Sequence, residues 1–143
     1  MTGTVVTFHF NVAARVPYLC RLLRKVSGAG MTAWVRLPPD ELSELDHALW
    51  ATHQEDFLAH ARVGQPEAPH SPIVLSDGSP PDRAMQVLVN CLPDLAPQAQ
   101  AHARVVELVG VDEAERAEAR QRWRQYVQAG LTPATHDAAA HGG

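Results

Sequence analysis

Four residues near the C-terminal end of the chain have the types needed to hold an acidic, partly apolar ligand. On a helical wheel of about 100° per residue, Arg116, Arg120, Trp123 and Val127 fall within an arc of about 60°. Ala119 and Tyr126 form an apolar shoulder beside them. Arginine forks grip carboxylates through paired N–H···O bonds, and a neighbouring aromatic offers an apolar wall. The combination suits a peptide that is both acidic and hydrophobic, above all one ending in a free carboxylate. The same pattern also fits a plainer arrangement, with Trp123 and Tyr126 in the core and arginine stems lying along its rim. On this wheel Arg122 and Arg124 point away from the stripe.

Patterns that carry catalysis are missing. A phosphate cradle needs glycines between a strand and a helix, so that backbone N–H groups can approach the anion. After the first strand-like run the chain reads Asn11-Val-Ala-Ala-Arg15, and Ser27-Gly-Ala-Gly30 comes after a helix and before a strand. A metal pair on one helix face wants histidines four apart, whereas His47 and His53 are six apart. His136 and His141 lie in a small, polar terminal segment, and His60 ends a short apolar one. There is no GxSxG elbow to anchor a hydrolase. Glu41, Glu44, Asp46, Glu113, Glu115 and Glu118 fall on expected helix surfaces, where solvation accounts for them. The residues suggest no reaction, cofactor or metal, and the chain reads as a non-enzyme.

The elements that must position these residues alternate between strand and helix. VVTFHF at Val5–Phe10 suits a buried strand. A helix is expected over Ala14–Lys25, with Pro17 near its start and Tyr18, Leu19, Leu22, Leu23 and Val26 on one stripe. Met31–Leu37 is a second strand, and Pro38-Pro39-Asp40 opens a helix that closes at Trp50. Phe57–Val63 is a weaker extended segment. Ile73–Leu75, Ala84–Cys91 and Arg104–Val109 are strand-like, with a turn at Asp77–Pro81 between the first two and a helix or loop around Pro93–Ala101 between the last two. Asp112 is an N-cap with acids in the first turn, Gly130 is the stop, and Thr132–Gly143 is expected to fray. The alternation predicts an α/β fold: a mostly parallel sheet flanked by helices, with some antiparallel pairing where the middle segments are short.

With 143 residues the chain fits one domain, and an apolar share of 45% is that of a globular protein. A net charge of −4 argues against a whole-domain grip on nucleic acid. Cys20 and Cys91 sit far apart in apolar runs and read as a reduced, buried pair. Neither a signal peptide nor a membrane span is legible, so the cytoplasm is the expected location.

Two blocks carry a resemblance. Leu45-Asp-His-Ala-Leu-Trp50 followed by Phe57-Leu-Ala-His60 is similar to the LDxALW and F-x-P-H pattern of the chi subunit family of bacterial DNA polymerase III. Arg120-Gln-Arg-Trp-Arg-Gln-Tyr126 with Ala129-Gly130 is similar to that family's R-x-R-[WY]-x-x-Y…G ending. The resemblance implies a Rossmann-like single domain over residues 1–131, with no working nucleotide site, and leaves out 132–143, the tail whose composition suggests disorder. It also implies an accessory subunit of the clamp loader. One surface, falling on Trp50, Val109, Arg116, Arg120 and Trp123, would receive the acidic, phenylalanine-ended C-terminal tail of single-stranded DNA-binding protein. A second, around Phe57 and Leu58, would hold the psi subunit or an equivalent helicase, and DNA would be contacted only indirectly. Ala59 stands where the family pattern has proline, and Arg116 and Trp123 stand where relatives can have lysine and tyrosine. Two other functions compete with this one: an adaptor for a DNA-repair helicase, and an unrecognised nucleotide-dependent α/β enzyme.

Overall fold

The computed structural model describes residues 3–51 and 58–139. Its strands are β1 (Val5–Val12), β2 (Ala33–Arg36), β3 (His60–Arg62), β4 (Ile73–Ser76), β5 (Val87–Asn90), β6 (Arg104–Gly110) and β7 (Ala134–Asp137). They form one sheet in the order β3-β4-β2-β5-β6-β1-β7. The helices are α1 (Arg15–Gly28), α2 (Pro39–Ala51) and α3 (Glu113–Gln128).

Every strand pair is parallel. Among the described residues, the antiparallel pairing expected in the middle of the chain does not occur. Parallel neighbours need a crossover of about a dozen residues. The connections 63–72, 77–86 and 91–103 span that distance with loops and 3-10 turns at Ala68–His70 and Ala99–Ala101 instead of α-helices. They read in the sequence as a loop, a turn and a helix or loop, and each returns the chain to the starting edge of the sheet.

Side chains alternate along the strands between two apolar layers. Ala33, Val35, Ile73, Leu75, Val87, Val89 and Leu108 pack with Leu19 and Leu23 of α1 and with Leu42, Leu45 and Leu49 of α2. Val6, Phe8, Trp34, Val74, Leu88, Val105 and Val109 pack on the other side with Ala119 and Tyr126 of α3. Where no helix covers that second face, Met85, Ala96 and Ala99 from the loops continue the layer. Helix α3 therefore lies on the face opposite α1 and α2, which bears directly on the site. Among the described residues, no helix is long and apolar enough to cross a membrane. Cys91 is buried and Cys20 partly so, and neither is in a disulfide.

Thr132–Gly143 was expected to fray, but β7 pairs with β1 through Thr7↔Ala134, Phe8↔Thr135, His9↔His136 and Phe10↔Asp137. The Ala138 N–H donates to the Phe10 carbonyl at 2.9 Å, and the Ala138 side chain is fully buried. Small, polar residues suit this place because an edge strand with exposed Ala134 and Thr135 needs few apolar side chains.

Candidate functional site

Helix α3 is built to present its charged stripe. Asp112 caps it, with Oδ1 accepting from the N–H groups of Ala114 at 2.6 Å and Glu115 at 3.3 Å. Gly130, at a φ of 90°, ends it, and the Leu131 N–H closes on the Tyr126 carbonyl at 3.0 Å. Tyr126 and Ala119 enter the core, which turns Arg116, Arg120 and Trp123 toward the rim.

There they bound an open cleft of about 260 Å³. Phe8 and Phe10 of β1, Val109 of β6 and Thr135 of β7 complete its lining. The Phe8 ring lies 5.1 Å from Trp123, tilted by 53°, and 5.9 Å from Tyr126, edge-on at 82°. These are ordinary aromatic packing geometries that fix Trp123 against the sheet. Tyr126 is core, while half-buried Trp123 is shared between core and cleft.

The two cleft arginines have different partners. Arg116 Nη2 donates to Asn11 Oδ1 at 2.8 Å. Arg120 Nη2 meets Glu113 Oε1 at 2.8 Å, with the side chains 56% and 75% exposed. The Arg120 hydrogen bond and charge hold the Glu113 carboxyl below the usual range. A pair so exposed exchanges readily with water and other anions.

Beneath α3 lies a polar cluster that helical-wheel reasoning missed. Arg122 Nε donates to Glu107 Oε1 at 2.8 Å, and Tyr126 Oη donates to Glu107 Oε2 at 2.7 Å. Asn90 Nδ2 donates to Glu107 Oε1 at 2.9 Å, and Arg36 Nη1 donates to Asn90 Oδ1 at 2.9 Å. Burial pushes the Glu107 carboxyl up, against the opposing pull of Arg122 and the bonds from Tyr126 and Asn90. The cluster ties α3 to β6, β5 and β2. A signal for it existed in the sequence: a glutamate inside an apolar strand, and Arg122 and Tyr126 one turn apart on the helix.

Four of the five positions expected at the tail surface, Val109, Arg116, Arg120 and Trp123, come together in the cleft. Trp50 does not line it. It ends α2 on the opposite face, near the β3 edge, with its ring 4.7 Å from His60 and its Nε1 donating to Asp46 Oδ1 at 3.1 Å. It is 56% exposed. Asp46 also accepts from Arg62 Nε at 2.8 Å and contacts His60 Nε2 at 2.8 Å, so a polar cluster underlies the tryptophan. Of the second expected surface, Leu58 is buried and Phe57 lies outside the described residues.

At the C-terminal edge of the sheet, where α/β folds commonly hold nucleotides, Arg15 Nε pairs with Glu41 at 2.6 Å and its Nη1 with Glu115 at 3.2 Å. The Gly110 N–H donates to Glu115 Oε1 at 3.0 Å. Carboxylates thus occupy donors that a phosphate would require. Among the described residues, no group of three His, Cys, Asp or Glu side chains could hold a metal ion.

The family model described as DNA polymerase III chi subunit, HolC, matches residues 3–134. The DNA polymerase III subunit chi of Pseudomonas aeruginosa is 30% identical over 125 residues, which cover 87% of each chain.

Proposed function

Because the chain belongs to the DNA polymerase III chi subunit family, we propose that it is a non-catalytic accessory subunit linking the clamp loader to single-stranded DNA-binding protein. It does so by holding that protein's acidic, phenylalanine-ended C-terminal tail. The observation that carries this reading is the cleft itself: an aromatic and aliphatic lining with two arginines at its mouth. The terminal phenyl group packs against Phe8, Phe10, Val109 and Trp123, and Arg116 or Arg120 pairs with the terminal carboxylate. Burying a phenyl group contributes about 2 kcal/mol, and a charge-assisted hydrogen bond adds roughly 1.5–3 kcal/mol before ordering costs. That sum, about 3.5–5 kcal/mol, is only millimolar by itself; micromolar binding requires both arginines and the rest of the acidic tail to contribute, and is reinforced where several tails are presented together. DNA is reached only through the protein that coats it, and the work is done in the cytoplasm.

A fluorescent acidic peptide ending in phenylalanine tests the reading. Binding should be micromolar, should weaken with salt, and should be abolished by deleting the phenylalanine or by Arg120→Ala. No binding to the intact peptide would refute it.

Exposed Trp50, with its ring against His60, favours a second docking surface on the other face of the sheet. Its occupant would be the psi subunit or a helicase. A pull-down comparing the intact protein with Phe57→Ala identifies the partner.

A further inference from the structure

Among the described residues, the one non-glycine residue with positive φ is Asn11, at 62°. It sits where the β1–β6 register shifts between His9 and Val12. Asparagine is among the few residues that adopt this conformation readily. The bulge turns its side chain between α3 and β7. Oδ1 accepts from Arg116 Nη2 at 2.8 Å, and Nδ2 donates to Asp137 Oδ1 at 3.1 Å. The two partners fix the amide's orientation, because the reverse would set N–H₂ against a guanidinium and oxygen against a carboxylate. Asp137 is itself anchored, accepting the Ala139 N–H at 3.0 Å.

We propose that Asn11 is a positioning residue of the tail-binding cleft: it holds Arg116 in place through a neutral acceptor, so that the guanidinium is ordered before the ligand arrives and keeps its full charge. This rests on the tail-binding reading above. The neighbouring arginine shows the contrast, since Arg120 is already paired with a carboxylate that an acidic ligand must displace. A guanidinium has five donors, and the asparagine contact uses one nitrogen, leaving a fork edge for a carboxylate. Ordering a long side chain in advance removes part of the entropic cost of binding.

The test compares Asn11→Gly and Asn11→Asp with the wild-type full chain, using the phenylalanine-ended acidic peptide. Glycine accepts the positive φ without strain, so Asn11→Gly should keep the bulge, lower the unfolding midpoint only by the lost Asp137 contact, and lose roughly three- to tenfold in affinity. In an Arg116→Ala background the same change should have no further effect. Asn11→Asp should keep Arg116 ordered but neutralise it, while setting a second carboxylate against Asp137, and so should also weaken binding. Rotation about the Arg116 Cζ–Nη bonds, followed by NMR in the free protein, should be slow in wild type and Asn11→Asp and fast in Asn11→Gly. An equal affinity loss with and without Arg116, or fast rotation in wild type, would overturn the proposal. If wild type ignores the peptide, the tail reading fails, and the rotation rates alone still decide whether Asn11 orders Arg116.

Discussion

Arg122 and Glu107 form an ion pair inside the protein, 2.8 Å apart, with side-chain exposures of 5% and 0%. The pair lies under the helix whose other face carries the cleft. Removing one partner of a buried pair leaves an uncompensated charge, at a cost of about 3–5 kcal/mol. Arg122→Met should destabilise the protein by that amount in urea unfolding. Adding Glu107→Leu should restore part of the loss, since Tyr126 and Asn90 would then lack their acceptor.

Glu113 competes with an acidic ligand for Arg120. Glu113→Gln should raise the affinity for the phenylalanine-ended peptide by roughly two- to fivefold at low salt. The gain should shrink as salt rises. Isothermal titration at two ionic strengths measures both effects, and unchanged affinity would mean that Arg120 takes no part in binding.

Trp123 and Trp50 should separate two functions. Trp123→Ala removes a cleft wall and its packing on Phe8, and should weaken the tail peptide at least about tenfold. Trp50→Ala, on the opposite face, should leave that affinity within about twofold and reduce capture of the second partner. Peptide titrations of both variants decide this, and a large effect of Trp50→Ala would show that the tail extends around the sheet edge.

His9 should make stability sensitive to acid. Burial, and then the nearby His136 and Lys25, lower its pKa to about 4. Tyr18 Oη lies 2.6 Å from its Nδ1, and the His136 ring is 4.7 Å away. In the unfolded chain the ring takes up a proton near pH ~6.5, whereas the folded protein resists protonation until about 4. Unfolding therefore absorbs a proton across this window, and stability falls as pH drops from ~6.5 toward 4. His9→Gln should flatten that part of a melting-temperature profile.

Local pattern was enough for much of this protein. The apolar stripes of α1 and α2, the acids and cap of α3, and the β-branched runs of β1 and β6 each follow from nearest-neighbour physics, since periodicity and capping act within a few residues. The same reasoning put Arg116, Arg120 and Trp123 on one helical face, and the resemblance supplied Val109. Tertiary structure decided the rest. Proline- and glycine-rich connections look alike whether they reverse a hairpin or carry a crossover, so only the assembled sheet made every pair parallel. Strand β7 exists because Asp137 and Ala138 find partners in Asn11 and Phe10, more than a hundred residues away in the chain. Trp50 is set apart from the cleft because α2 packs on the face that α3 does not use. Glu107 and Arg122 were both visible as charges, but only the packing of α3 on β6 made them partners, since burying either alone would be too costly.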